Sequence, residues 1–174
     1  ADVGWASLVF DGAMSEPQVF CDGKFVGEWK NGYNAFEVKL PRTEGEHQIL
    51  VKLTNRPFSA RWYPGAGLIR PVKLVLGGET GVRTWGNAVW CPDLGTVRVK
   101  TECRGTPGRI AYHILDGERE VAASDSGELK GAFEPWSPEH PKLYDICFTC
   151  GEDRVESYFA MRKFSVEKDE KGVK

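Results

Sequence analysis

The amino-acid sequence predicts an all-β protein built from antiparallel β-sandwiches. Short runs such as residues 35–40 alternate apolar and polar side chains, and a period of two is typical of a half-buried strand. Turn signals such as Asp22-Gly23 and Asn31-Gly32 separate these runs, and such pairs are strong hairpin signals. Because no helical pattern lies between the strands, antiparallel pairing is favoured over a parallel sheet.

The charge balance argues against two classes of partner. The chain has 174 residues, with 23 Lys and Arg against 25 Asp and Glu, and a formal net charge of −2. This balance does not indicate a nucleic acid or an anionic membrane surface as partner. The sequence also contains no apolar run of membrane-spanning length and does not open on a signal-peptide pattern.

The cysteines predict buried free thiols rather than a metal centre. There are five, Cys21, Cys91, Cys103, Cys147 and Cys150. An odd number cannot all pair within one chain, and no second Cys-x-x-Cys completes a zinc site with Cys147 and Cys150. We therefore expect no metal and no cofactor. Free thiols favour a cytoplasmic location over a periplasmic or secreted one.

The first module is predicted to span residues 1–78. Its strands are expected at residues 6–10, 18–21, 24–29, 35–40, 47–54 and 68–77. Within residues 35–40, Phe36, Val38 and Leu40 point to one face, while Glu37 and Lys39 point to water. Gly77-Gly78 is the expected boundary with the next module.

The second module is predicted to span residues 79–166 as an immunoglobulin-like sandwich. Strands are expected at 82–85, 88–91, 96–103, 109–115, 120–123, 127–130, 143–149 and 155–161. So many short strands at turn-sized intervals are typical of that fold. Trp136, beside a proline-rich corner, is expected to be a packing anchor. Residues 167–174 are highly charged and are expected to form a solvated linker.

The stretch at residues 55–72 does not fit a regular strand or helix. Pro57 and Pro64 each lack a backbone donor, and two glycines, Gly65 and Gly67, can take positive φ. The same stretch carries Arg61-Trp62-Tyr63. Two interpretations stay open: a crossover loop whose aromatic rings fill the core, or a rigid loop that presents arginine and rings to a sugar or a protein.

This stretch also carries a family resemblance. The sequence RWYPGAGLIRPV at 61–72 resembles a signature of family 2 glycoside hydrolases, notably the β-galactosidases. Shorter blocks resemble the same family at residues 21–27, 32–36, 45–55, 136–144 and 161–166. Ile69 stands where an aromatic residue is frequent, and Asp22 where an asparagine is usual. The resemblance implies part of an N-terminal sugar-binding jelly roll followed by the immunoglobulin-like domain.

The resemblance also implies a non-catalytic role. Retaining hydrolysis needs two closely spaced carboxylates, and in this family both lie in a catalytic (β/α)₈ barrel that no segment here matches. We therefore expect the chain alone to be inactive. Its partners would be the barrel and a galactoside-like carbohydrate. The candidate sugar-site residues are Arg61, then Trp62 and Tyr63, with Asn55 as a loop-setting residue.

Three readings of the function compete at this point. The chain could be a non-catalytic segment of a β-galactosidase-like enzyme. It could be a freestanding carbohydrate-binding module with Trp29, Tyr33, Trp62 and Tyr63 as a stacking platform. It could also be a structural module whose open sheet edges drive self-association into a homo-oligomer.

Overall fold

The computed structural model describes residues 3–166, 168–169 and 172–173. Every regular element in these residues is a β-strand, and every strand pairing is antiparallel. The predicted all-β class is therefore confirmed. The chain divides into two compact units, Ala1–Glu79 and Thr80–Lys174.

The first unit contains two three-stranded sheets. Its strands are β1 (Trp5–Phe10), β2 (Gln18–Cys21), β3 (Lys24–Glu28), β4 (Phe36–Lys39), β5 (Ile49–Lys52) and β6 (Val72–Gly77). The sheet orders are β4-β1-β6 and β3-β2-β5. Apolar side chains of both sheets pack together, and the rings of Phe10 and Phe36 stack with centroids 4.7 Å apart. Burial of these side chains contributes roughly 1.5–3 kcal/mol each.

The turn between β2 and β3 forms where the sequence predicts it. Asp22 and Gly23 both have positive φ, 51° and 76°, as a two-residue hairpin turn requires. Asp22 also accepts a hydrogen bond from the Gln48 backbone N–H at 2.9 Å. The turn is thereby tied to the chain segment that enters β5.

The second unit is a sandwich of a three-stranded and a four-stranded sheet. Its strands are β7 (Gly81–Asp93), β8 (Thr96–Arg104), β9 (Ile110–Asp116), β10 (Arg119–Ser124), β11 (Glu128–Lys130), β12 (Tyr144–Cys150) and β13 (Asp153–Phe159). The sheet orders are β11-β8-β7 and β10-β9-β12-β13. The core between them includes the fully buried Val97, Ile114, Ile146 and Phe148.

One strand differs from the prediction. Residues 82–85 and 88–91 were expected as separate strands, but they lie in the single strand β7. The pairing with β8 shifts register between Val82 and Asn87, and Trp85 there has a φ of 56°. Such a bulge takes extra residues out of the ladder without ending it, so the sequence pattern breaks although the strand continues.

The last described residues form a short ladder. β14 (Lys168–Asp169) pairs with β15 (Gly172–Val173). The rest of the predicted charged linker, at 167, 170–171 and 174, lies outside the described residues.

Candidate functional site

Residues 53–71, here called the 53–71 loop, connect β5 to β6 and carry the predicted site. Both ends of the loop are fastened to the connection between β1 and β2. Near one end, Thr54 N–H donates to the Ser15 carbonyl at 2.8 Å, and Ser15 Oγ donates to the Thr54 carbonyl at 2.6 Å. Near the other end, Met14 and Gly67 exchange two backbone hydrogen bonds of 3.0 and 3.1 Å. A loop fastened at both ends can hold side chains in one place.

A side-chain hydrogen bond from Arg70 also holds the loop in place. Its Nη1 donates to the Tyr33 carbonyl at 3.0 Å, which joins the loop to the connection between β3 and β4. Gly12 makes room for it, because a Cβ there would lie 3.1 Å from Arg70 Cδ. The sequence analysis quotes Arg70 only as part of a motif. No local sequence pattern indicated this role for Arg70, because its partner, the Tyr33 carbonyl, lies 37 positions away in the chain.

Trp62 and Tyr33 form an exposed aromatic pair. Trp62 Nε1 donates to Tyr33 Oη at 2.6 Å, and the ring centroids are 6.5 Å apart. Trp62 is 60% exposed and Tyr33 38% exposed. The Tyr33 backbone N–H donates to Asn31 Oδ1 at 2.8 Å, which fixes the turn that carries the ring. The pair therefore offers an accessible ring surface whose geometry is set by a hydrogen bond.

The other aromatic rings, those of Trp29, Phe58 and Tyr63, differ in how far they are exposed. Trp29 stacks on the buried Phe36, with centroids 6.1 Å apart and planes 9° apart, and is 42% exposed. Tyr63 and Phe58 are fully exposed. The interpretation in which the loop rings fill the core is therefore wrong for Trp62 and Tyr63. Of the four-ring platform, the structure brings together Tyr33 and Trp62.

Arg61 and Asn55 are both exposed. No carboxylate pairs with Arg61 within the described part of the chain, whereas the nearby Arg56 pairs with Glu16 at 3.0 Å. An arginine presents five donors in a planar fork that suits carboxylates and hydroxyls. The roles of Arg61 and Asn55 toward a sugar stay predictions.

The backbone of the loop uses its glycines as the sequence predicts. Gly65 and Gly67 have φ of 70° and 124°. Residues other than glycine rarely adopt φ values in this range, and 124° is rarer for them than 70°. The loop can therefore double back toward β6 without a side chain at either bend.

A separate cluster contains the kinds of side chain that bind metals. Cys21, Asp22 and His47 bring one potential ligand atom each within 4.8 Å of one another. His47 Nδ1 lies 2.7 Å from Asp22 Oδ2, and Nε2 lies 3.0 Å from the Thr43 carbonyl oxygen. Nε2 also lies 3.2 Å from the Thr43 hydroxyl oxygen, which can donate to a neutral ring. The doubly protonated imidazolium instead donates to Asp22 and to the Thr43 carbonyl at once. When His47 is protonated, it forms an ion pair with Asp22 beside the buried thiol of Cys21.

The contact between His47 and Asp22 shifts the pKa of each side chain in the direction expected for a pair of opposite charges. The hydrogen bond to Asp22 raises the pKa of His47, and the Thr43 carbonyl raises it further. The hydrogen bond from His47 lowers the pKa of Asp22, and the Gln48 N–H lowers it further. Burial raises the pKa of the Cys21 thiol, and the Asp22 carboxylate adds to this.

The first unit leaves part of its inner face uncovered. Leu8 and Phe10 of the core lie directly opposite Leu74 and Val72 of β6, so these side chains share one face of the sheet. Yet Val72, Leu74 and Leu76 are 39%, 58% and 56% exposed. We call these three the β6 face. Beside it lies a cleft of about 920 Å³ lined by Leu8, Leu40, Ile49, Leu74 and Leu76 among others.

The second unit has its own apolar surface. A cleft of about 670 Å³ is lined by Trp90, Trp136, Leu143, Tyr158, Arg162 and Phe164 among others. The guanidinium of Arg162 lies 5.2 Å from the ring of Trp136 and 4.7 Å from that of Phe164. Trp136 is half-buried, and its backbone N–H donates to the Met161 carbonyl at 2.9 Å. We call this the Trp136 surface.

The described residues contain no helix with the length and apolar composition needed to cross a membrane.

Two acidic side chains of the second unit, which could be considered as catalytic carboxylates, form ion pairs with arginines. Asp125 pairs with Arg109 at 2.9 Å, and Glu128 with Arg98 at 3.1 Å.

Comparison with known proteins identifies the class of enzyme to which this fold is related. No protein-family profile matches the chain. A putative β-glucuronidase of Formosa agariphila is 30% identical, over 78% of this chain and 15% of its own length. The β-galactosidase BoGH2A of Bacteroides ovatus is 28% identical, over 80% of this chain and 19% of its own length. The chain thus spans less than a fifth of either relative.

Solved structures show the same architecture. A glycosyl hydrolase family 2 member from Bacteroides cellulosilyticus superimposes with a TM-score of 0.83 at 21% identity, over 98% of this chain and 28% of that one. The β-glucuronidase of Lactobacillus rhamnosus gives a TM-score of 0.78 at 18% identity, over 94% of this chain and 34% of that one. The resemblance to family 2 glycoside hydrolases is therefore confirmed, and it covers a part of those enzymes.

Proposed function

We propose that this chain is a non-catalytic, sugar-binding and scaffolding portion of a larger family 2 glycoside hydrolase. The observation that carries this proposal is the coverage. Nearly four fifths of the chain matches the two curated relatives, while it spans 15% and 19% of their lengths. Most of what those relatives contain, including room for a catalytic domain, lies outside the matched part.

The uncovered surfaces support the same proposal. The β6 face continues the core side of its sheet but is about half exposed. The Trp136 surface also exposes aromatic rings around a cleft. Contiguous apolar patches of this kind are typical of surfaces that meet another domain or chain. In our proposal the remainder of the hydrolase, its barrel included, covers one or both of them.

The 53–71 loop is the part that we propose contacts sugar. The exposed rings of Trp62 and Tyr63 supply apolar faces of the kind on which a sugar ring can pack. The Arg61 guanidinium supplies donors for sugar oxygens. The fastenings by Gly67 and Arg70 keep the loop in place, and Asn55 lies near its start. Because all four candidate residues are exposed, a facing domain wall would complete the site.

Two sugar classes are candidates. A galactoside is favoured by the sequence resemblance, and one relative is named a β-galactosidase. A glucuronide is favoured by a specific observation: Arg61 lies exposed with no carboxylate partner among the described residues, and a sugar carboxylate could pair with it. Another relative is named a putative β-glucuronidase.

Titration separates these possibilities. The purified chain is titrated with galactose, lactose and glucuronic acid while tryptophan fluorescence and heat are followed together. We expect saturable binding of one sugar class that weakens at least tenfold, about 1.4 kcal/mol, in Arg61→Ala. The Arg109→Ala variant removes an exposed arginine from the other unit and should bind as the wild type does.

The outcomes lead to different conclusions. Binding that is unchanged in Arg61→Ala, or absent at high sugar concentration, contradicts a sugar-binding role for the isolated loop and leaves scaffolding. Tight binding by the chain alone favours the freestanding carbohydrate-binding module, whereas weak saturable binding is what we expect of a loop that a facing domain completes. Turnover of an aryl β-galactoside or β-glucuronide, with contaminating enzyme excluded, would overturn the non-catalytic assignment.

A further inference from the structure

Two cysteines of the second unit lie against each other across the sandwich. Cys103 is on β8, in the three-stranded sheet, and Cys150 is on β12, in the four-stranded sheet. Their Sγ atoms are 3.5 Å apart, although the residues are 47 positions apart in the chain. This distance is van der Waals contact, so a small movement of either side chain would bring the sulfurs to bonding distance.

The surroundings hold these two strand ends together. Val82, opposite Cys103 in the β7–β8 ladder, donates its N–H to Asp153 Oδ2 at 2.7 Å. Asp153 in turn lies opposite Cys150 in the β12–β13 ladder. One carboxylate thus bridges the two sheets beside the thiols. The sulfur contact is therefore a consequence of the fold rather than of one freely rotating side chain.

The two thiols differ in access. Cys150 is completely buried, whereas Cys103 is partly exposed. A reagent from solution can therefore reach Cys103 first. Cys150 is placed to react only with the sulfur that it already touches.

We propose that Cys103 and Cys150 form a disulfide that joins the two sheets and stabilises the second unit when the chain meets a small-molecule disulfide oxidant. This modification site is independent of the proposed sugar loop, which lies in the other unit. The remaining cysteines are placed differently. Cys91 Sγ lies 3.8 Å from the Ala160 carbonyl, Cys21 lies beside Asp22 in the first unit, and Cys147 alternates to the opposite face of β12 from Phe148.

The chemistry is two successive thiol–disulfide exchanges. The Cys103 thiolate attacks one sulfur of oxidised glutathione, forming a mixed disulfide and releasing one glutathione thiolate. The Cys150 thiolate then attacks Cys103 Sγ, forming the protein disulfide and releasing the second glutathione. The two cysteines lose two electrons and two protons, and the two glutathione molecules gain them.

The rate should be slow at neutral pH. Burial, and then the neighbouring Cys150 thiol, raises the pKa of Cys103 to about 11. Since only the thiolate attacks, a small fraction of Cys103 is reactive at any moment. Incubation for hours at mildly alkaline pH is therefore appropriate for the test.

The test oxidises the full 174-residue chain with oxidised glutathione. Remaining thiols are then alkylated under denaturing conditions, and the protein is digested and analysed by mass spectrometry. We expect one cross-linked peptide pair that contains Cys103 and Cys150. We also expect the Tm of the second unit to rise by about 10 °C and to return to its starting value with dithiothreitol.

Variants make the test specific. Cys103→Ser should abolish both the cross-link and the rise in Tm, while Cys91→Ser, another partly buried cysteine of the same unit, should keep both. Alkylation of both Cys103 and Cys150 after prolonged oxidation would overturn the proposal. So would a stable glutathione adduct at Cys103, a cross-link through another cysteine, or an unchanged Tm in the cross-linked wild type.

Discussion

At the scale of single residues, His47 links charge to folding of the first unit. Its two ring nitrogens lie against Asp22 Oδ2 and the Thr43 carbonyl oxygen, and these contacts stabilise the protonated imidazolium in the folded chain. The raised pKa of His47 means that this stabilisation is complete below the ordinary pKa of about 6.5 and is lost as the pH rises through the folded value. The lowered pKa of Asp22 means that its share is present above about 3.9 and is lost as the pH falls.

These directions define a pH window that can be measured. We expect the urea midpoint of the first unit to be higher in the wild type than in His47→Gln, most of all between about pH 4 and 6.5. The difference should shrink as the pH rises further. Asp22→Asn is the matched control, because asparagine tolerates the same positive φ but removes the carboxylate. A difference between wild type and His47→Gln that stays constant from pH 5 to 9 would contradict the assignment.

At the scale of elements, the 53–71 loop depends on backbone conformation more than on burial. Its candidate side chains are exposed, so its shape comes from hydrogen bonds to neighbouring connections and from glycine bends. Gly67 is the most demanding position. It combines a φ of 124° with two hydrogen bonds to Met14.

A matched pair of glycine substitutions tests this dependence. A Cβ at Gly67 or at Gly108 would meet no atom within 4 Å, but only Gly67 has positive φ. We therefore expect Gly67→Ala to destabilise the first unit by about 1–3 kcal/mol through backbone strain. Gly108→Ala should be neutral or stabilising by up to about 1 kcal/mol. The free energy of unfolding of each variant is measured by urea denaturation. Equal changes at both sites would contradict the view that the positive φ of Gly67 requires glycine.

At the scale of the whole molecule, the exposed apolar surfaces determine whether the chain associates with another domain or with a second copy. The β6 face lies on the core side of its sheet, and β6 is also an edge strand with one neighbour, β1. Edge strands with exposed apolar side chains tend to associate. The remainder of the proposed enzyme would cover this face. Without that remainder, a second copy of the chain can do so.

Self-association is therefore expected for the isolated chain. Sedimentation velocity should show a mass that grows with concentration in the wild type. The double variant Leu74→Lys/Leu76→Lys should remain a monomer, because charges on the inner face oppose its burial. Leu94→Lys changes an exposed leucine elsewhere and should associate like the wild type. A wild type that is monomeric at high concentration would exclude this role for the β6 face.

The sequence by itself determined the elements that local chemistry controls. Alternation in residues 35–40 placed β4, Asp22-Gly23 placed the hairpin, and Gly65 and Gly67 were recognised as bends. Each depends on neighbouring residues alone. The motif at 61–72 also indicated the resemblance to family 2 glycoside hydrolases, because so long a pattern is specific. Local reasoning failed at β7, where a bulge interrupts the alternation but not the strand.

The tertiary structure alone decided which distant side chains meet. Trp62 reaches Tyr33 across 29 positions, Arg70 reaches the Tyr33 carbonyl across 37, and Cys103 touches Cys150 across 47. No periodicity encodes these contacts. They follow from which strands pair, which sheets face each other and how the connections between them are tied. The same packing left Val72, Leu74 and Leu76 exposed, although alternation alone would have placed such side chains in a core.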